Sequence, residues 1–163
     1  TIIGIDFCYK MLLKAKAKLV TPSEGSRVQL VLGDVLQLPF PDNTFDCVTV
    51  GFGLRNVADI GAAFHEITRV AKSGARVVSL ELTRPRSSLA RSLHNFCLFH
   101  IAPFVGGLIS GSKEAYTYLA DSIMESPSPE EVKKIMENAG LQEVEVYRLT
   151  LGIATVHAAI KRD

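Results

Sequence analysis

Two carboxylates in this sequence stand where they could do chemistry. Asp6 closes the apolar run Thr1–Asp6, "TIIGID", and Asp34 follows the apolar run Val28–Leu32 in "LGD". Parallel sheets meet their ligands at such strand ends. A carboxylate there can accept from both hydroxyls of a ribose, and a second one beside it can accept from an adenine amino group. Each acid also has a plainer reading, Asp6 as an N-cap for the next helix and Asp34 as part of a Gly-Asp turn. Presented by neighbouring strand ends, the two together point to one nucleoside.

A third apolar strand, Phe45–Val50, runs into "GFGLRNV". Gly51 and Gly53 flank Phe52, and glycines there either let a ligand approach the backbone or make a tight turn. Arg55 and Asn56 stand just past the buried strand. Their plainer readings are a surface ion pair and a helix N-cap region. Asp42 and Asn43, in "FPDNTF", read as turn formers.

The surrounding periodicity supplies the elements that must position these residues. "CYKMLLKAKAKL" places Met11, Leu12, Ala15 and Leu19 on one helical face, and "TPSEGS" breaks that helix. Ala58–Ala71 is an amphipathic helix with Ile60, Ala63, Phe64, Ile67 and Val70 inward. "KSGA" is a turn before a fourth strand, Ala75–Leu82. This alternation of strands and helices predicts a parallel sheet with covering helices. Past Thr83 the pattern changes to an apolar helix, Ser87–Phe104, with Arg84, Arg86 and Arg91 along its edge, then a flexible "VGGLISGS" and a helix over Glu114–Met124. Ser128, Pro129 and Glu131 have the spacing of an N-cap, first position and capping box, and Gly140 suits a C-cap. Gln142–Leu149 and Ile153–Lys161, around Gly152, read as an antiparallel closing pair.

Composition narrows the function classes. A chain of 163 residues suits one domain with a hydrophobic core. With 18 basic and 17 acidic residues the net charge is +1, without the basic excess of a nucleic-acid binder. Cys8, Cys47 and Cys97 lie far apart among apolar neighbours, which predicts reduced, buried thiols in a reducing, cytoplasmic setting. His65, His94, His100 and His157 form no metal-ligand motif, so no metal is expected. The chain opens directly on an apolar strand, and residues before Thr1 are therefore expected.

The motifs "GID", "GDVLQLPFPDNTFD", "FGLRNV", "HEITRVAKSGARVVSLE", "KEAYTYLADSI" and "LTLGIATVH" together resemble the ubiquinone/menaquinone biosynthesis C-methyltransferases. These are class I S-adenosylmethionine-dependent enzymes. The resemblance spans nearly the whole chain, and "PFPDNTFD…FGLRNV" is its most specific part. It implies a Rossmann-like α/β fold, a mostly parallel sheet with an antiparallel C-terminal strand. The family's first strand, glycine-rich cofactor loop and N-terminal helices would all precede Thr1. That first strand would sit between Thr1–Asp6 and Phe45–Val50, so the fragment alone should bind cofactor poorly.

The resemblance also implies roles. Asp6 would hold the ribose hydroxyls, Asp34 and the Val35 backbone the adenine, and Gly51 the amino-acid end of S-adenosylmethionine. Arg55 and Asn56 would face a lipophilic quinol, with Tyr116 and Tyr118 walling its site unless those tyrosines are simply packing residues. A guanidinium is no base at ordinary pH, but it can stabilise a ring-oxygen anion or orient a water that takes the ring proton. The segment Phe96–Ile109 is too short to span a bilayer. It fits a lid over an isoprenoid tail, an interfacial helix at the membrane, or an ordinary core helix. A homodimer also fits. The rival readings are a methyltransferase for another small molecule and a non-catalytic methyltransferase-like subunit. The absence of GxGxxG and the antiparallel ending argue against a dinucleotide oxidoreductase.

Overall fold

The computed structural model describes residues 1–19 and 27–162; the expected helix break at "TPSEGS" lies outside them. Strand β1 (Ile2–Asp6) leads into helix α1 (Tyr9–Lys18), and β2 (Val28–Leu32) returns parallel to β1, in register from Ile2↔Val28 to Asp6↔Leu32. Only Leu12 of α1 is buried, and Met11 is exposed, contrary to its expected inward place. Strand β3 (Phe45–Gly51) pairs parallel with β4 (Ala71–Leu82). The "KSGA" turn is a bulge inside β4: the register jumps from Phe45↔Ala71 to Cys47↔Arg76, and Gly74 takes φ +79° to allow it.

Helix α2 (Ile60–Val70) separates these two strands. Asp59 caps it by accepting from the Ala62 N–H at 2.9 Å, so the cap falls three residues beyond Asn56. Its apolar stripe, Phe64, Ile67 and Val70, is fully buried against Val77 of β4 and against Val132 and Met136 of helix α6 (Pro129–Asn138). Helix α6 starts with the complete capping box: Ser128 Oγ accepts from the Glu131 N–H, and the Glu131 carboxylate accepts from the Ser128 N–H at 2.7 Å. Past Gly140 (φ +90°), strands β5 (Leu141–Leu149) and β6 (Ala154–Lys161) pair antiparallel, and β6 lies antiparallel against β4. The hydrogen-bonded order is therefore β2–β1 in one piece and β3–β4–β6–β5 in another. Among the described residues β1 and β3 each have a single strand neighbour, and each presents one unpaired edge.

Between β4 and α6 the chain is helical almost throughout. Helix α3 (Ser88–Phe96) continues through a π turn (Cys97–Ile101) into α4 (Ala102–Ser110), and helix α5 (Lys113–Glu125) folds back on it. Pro103, which has no N–H to give the preceding turn, sits where the wider turn ends. The expected flexible stretch at "VGGLISGS" is thus corrected. Gly106 and Gly107 are helical because the partner helix lies against them: a Cβ on Gly106 would overlap the Tyr116 ring. The expectation of buried cysteines also fails, since Cys47 is exposed and Cys8 and Cys97 are half-buried, all three as free thiols.

Candidate active site

Asp6 and Asp34 do stand at adjacent strand ends. The Gly33 N–H donates to the Asp6 carbonyl at 3.2 Å, continuing the β1–β2 pairing one step beyond the strands. A Cβ on Gly33 would lie 2.7 Å from Ile5 Cδ1, so a larger residue there would make the Ile5 side chain shift. Each acid spends one oxygen locally. Asp6 Oδ1 accepts from the Cys8 N–H at 2.7 Å, and Asp34 Oδ1 accepts from the Leu36 N–H at 2.9 Å. The plainer turn readings are therefore real, although Asp6 is not the N-cap, a position held by Cys8. In both carboxylates the second oxygen has no hydrogen bond among the described residues, which leaves one acceptor on each for a ligand. Val35 is half-buried and packs against the same core as Leu54, Val48 and Val50.

The loop between β2 and β3 is pinned by one side chain. Arg69 of α2 donates to the carbonyls of Phe40 and Leu38 at 2.8 and 3.0 Å, to Asp42 at 2.7 Å and to both oxygens of Glu66. Glu66 also accepts from the Leu38 N–H at 2.8 Å, and the Arg69 guanidinium holds its pKa below the ordinary carboxylate range. "LPFPDN" is therefore a rigid cross-brace. Asn43 turns the chain at φ +54° and accepts from Lys161, as its turn reading requires; Asp42 adds an ion pair that the turn reading did not contain.

At the end of β3, the Phe52 N–H extends the ladder to the Leu80 carbonyl at 2.8 Å, and the backbone turns sharply with Phe52 at φ +57°. That conformation is uncommon for a bulky residue and marks a place where the surroundings hold the backbone. The next residues, Leu54–Asn56, form one 3-10 turn. Gly51 is exposed, and a Cβ built on it would meet nothing within 4 Å, so packing in the fold does not require glycine there.

Arg55 forms a half-buried ion pair, not a surface one. Its Nη1 donates to the Phe52 carbonyl at 2.6 Å and to Glu81 Oε2 at 3.0 Å, with side-chain exposures of 14% and 13% for the two partners. Glu81 Oε1 accepts from the Leu54 N–H at 2.8 Å. Arg55 Nη2 makes no hydrogen bond among the described residues, and buried Nε has no partner. Arg55 also lines a small cavity of about 20 Å³ with Ser79, Glu81 and His157. Asn56 is exposed, and its Oδ1 accepts from the Tyr118 hydroxyl at 2.7 Å. The two tyrosines separate, as residues two apart on a helix must. Tyr118 joins Asn56, while Tyr116 packs on Gly106.

The sequence reading missed Glu81. Its only signal was the one that flagged Asp6, an acid at the C-terminal end of an apolar strand. Arg69 was missed as well, because nothing local shows that a helical arginine reaches back 31 positions to the Leu38 carbonyl.

The chain matches the ubiE/COQ5 methyltransferase family over residues 1–161. It is 45% identical to a demethylmenaquinone methyltransferase of Roseiflexus sp. (strain RS-1), over 98% of this chain and 66% of that protein. It is 39% identical to a ubiquinone/menaquinone biosynthesis C-methyltransferase UbiE of Teredinibacter turnerae, over 98% of this chain and 64% of that protein. The chain thus spans slightly under two thirds of the length of these relatives. A crystal structure of a SAM-dependent methyltransferase from Aquifex aeolicus shares the fold at TM-score 0.63 and 18% identity, over 98% of this chain and 68% of that one. A split, mostly parallel sheet with an antiparallel last strand, joined to sequence identity at this level, places the chain in the ubiE/COQ5 methyltransferase family.

Proposed function

We propose that this chain is part of an S-adenosylmethionine-dependent C-methyltransferase acting on the ring of a polyprenyl quinol in menaquinone or ubiquinone synthesis. The observation that carries the proposal is the Arg55 guanidinium, oriented by Phe52 and Glu81 with Nη2 uncommitted, beside Asn56 and Tyr118. S-adenosylmethionine, when bound, supplies an already activated methyl group. The residues present suit it: free carboxylate oxygens on Asp6 and Asp34, the Val35 backbone beside them, and open space over Gly51. What remains for the protein is alignment and charge. Arg55 Nη2 stabilises negative charge on a ring oxygen, Asn56 and Tyr118 hold the second oxygen, and a water oriented by the guanidinium takes the ring proton.

The unpaired edges of β1 and β3 support a further element, one strand inserted between them from sequence preceding Thr1. The helical run Ser88–Ile109 spans 22 residues and is long and apolar enough to cross a membrane by length and composition. The expected apolar segment starting at Phe96 is thus part of a longer helix. Leu98 packs in a small core with Ala120 and Ile123, while Leu89, Leu93, Phe104, Leu108 and Ile109 are all more than 60% exposed and form an uncovered apolar face. We assign that face to the isoprenoid tail of the quinol and to a peripheral membrane contact.

The test is methylation by the protein extended to the length of its relatives. Short-chain demethylmenaquinol and a benzoquinol are assayed beside a panel of non-quinol small molecules. Turnover of a quinol supports the reading. Turnover confined to the non-quinol acceptors replaces it with the rival small-molecule activity. Donor binding without any turnover points to the non-catalytic subunit.

A further inference from the structure

A second cleft lies on the far side of Thr83, Ser126 and Pro127, which line both it and the small cavity at Arg55. Its volume is about 370 Å³, at the lower end of the range for small-ligand sites. Four guanidiniums surround it: Arg84 and Arg86 from the link after β4, Arg91 from α3 and Arg148 from β5.

Their partners do not balance them. Arg86 and Arg148 share a single carboxylate oxygen, Glu130 Oε1. Among the described residues Arg84 donates only to the Ser126 carbonyl at 3.3 Å, and Arg91 only to the carbonyls of Pro85 and Arg86. Glu131 feels the charge of Arg84, but its carboxylate is tied to the N–H and hydroxyl of Ser128 in the capping box. The N-terminus of α6, the positive end of its dipole, opens at Ser128 and Pro129 on the same cleft. Four guanidiniums and a helix N-terminus thus face one lining carboxylate. Such convergence repels itself until an anion enters, and forked guanidiniums match the oxygens of phosphate.

We propose that this cleft binds a phosphate group, held by Arg84, Arg86, Arg91 and Arg148 against the N-terminus of α6. Glu130 occupies part of the site and competes with the anion for Arg86 and Arg148. The phosphate is either free in solution or the headgroup of a lipid, because Leu89 and Leu93 are exposed on the helix that carries Arg91.

The experiment has two arms, run on the whole chain at low ionic strength. In one, inorganic phosphate is titrated by calorimetry. In the other, flotation with phosphatidylglycerol vesicles is compared with phosphatidylcholine vesicles. Saturable phosphate binding assigns a soluble phosphate, and preference for phosphatidylglycerol assigns a headgroup. In whichever arm is positive, Arg84→Gln should weaken binding about tenfold without altering the unfolding temperature. Glu130→Gln should tighten it several-fold, which a merely structural carboxylate would not do. The proposal is overturned by absence of binding in both arms, by vesicle binding indifferent to headgroup, or by Arg84→Gln and Glu130→Gln variants that bind like the parent.

Discussion

The Glu81 carboxylate spans two successive residues of the loop after β3, taking the Leu54 N–H on Oε1 and the Arg55 guanidinium on Oε2. One side chain on β4 therefore sets both the path of the "GLRN" turn and the direction of its arginine. Leu54 is itself buried in the main core, so the turn is anchored from below by packing and from the side by charge. Glu81 acts through Arg55, which makes it a positioning residue.

Removing that anchor has a measurable cost. Glu81→Ala leaves a half-buried guanidinium without its carboxylate and an amide without its acceptor. The expected loss is about 2–3 kcal/mol, between the values for surface and fully buried pairs. Glu81→Gln keeps an acceptor for the Leu54 N–H and should lose about half as much. Urea unfolding of the three proteins decides it, and a Glu81→Ala change below about 0.5 kcal/mol would show that the pair is ornamental.

Arg55→Lys separates acceptor chemistry from donor binding. Lysine keeps the charge near Glu81 but lacks the fork that reaches Phe52, Glu81 and a ring oxygen at once. In the protein extended to its relatives' length, single-turnover methylation should fall by about a hundredfold or more, as for lost oxyanion stabilisation. Donor affinity should stay within about twofold. A joint fall of rate and donor affinity would move Arg55 to the donor site or to the fold.

Tyr118→Phe removes only the hydroxyl that donates to Asn56 Oδ1. Because Tyr118 is 58% exposed, stability should change by less than about 1 kcal/mol. Acceptor KM should rise about three- to tenfold with Asn56 no longer held. Tyr116→Phe keeps the ring that packs on Gly106 and should leave KM unchanged. Equal effects from the two tyrosines would contradict their separation onto different surfaces.

Burial pushes His157 below its ordinary imidazole value, and this outweighs the opposing pull of the Pro129 carbonyl, which lies 2.9 Å from Nε2 and accepts its proton. The sign follows from proton counting. As pH falls below about 6.5 the unfolded chain takes up a proton that folded His157 still refuses. Stability therefore falls with pH through that window, by at most about 1.4 kcal/mol per pH unit for one group. His94, also lowered by burial, adds to the same trend. Urea unfolding of the parent and His157→Gln at about pH 7.5 and 5.5 isolates the His157 share. Parallel pH dependences in the two proteins would remove it.

What the sequence disclosed follows the range of the interactions. The strands and α2 were legible because their periodicity is local, and the Ser128–Glu131 capping box because its members lie three residues apart. The acids at adjacent strand ends were legible from position alone, since parallel pairing brings Asp6 beside Leu32. Glu81 and Arg55 lie 26 positions apart, and no local pattern joins them. The glycine pair in α4 misled for a related reason. Gly106 signals flexibility in isolation, and only the Tyr116 ring from α5 turns it into a packing requirement.

That ambiguity of glycine gives the sharpest test of the donor site. Gly106→Ala should destabilise by about 1–3 kcal/mol, because its Cβ would overlap the Tyr116 ring and force the helices apart. Gly51→Ala should not, since its Cβ would meet nothing within 4 Å and no positive φ requires glycine there. If the protein alone accounts for Gly51, alanine is neutral in every assay. If Gly51 is there so that S-adenosylmethionine can lie against the backbone, alanine leaves the unfolding temperature unchanged. Donor affinity in the extended protein should then fall about tenfold or more. Calorimetric donor titration and thermal unfolding on one preparation distinguish the two cases. A stable Gly51→Ala protein with parental donor affinity would take Gly51 out of the binding site.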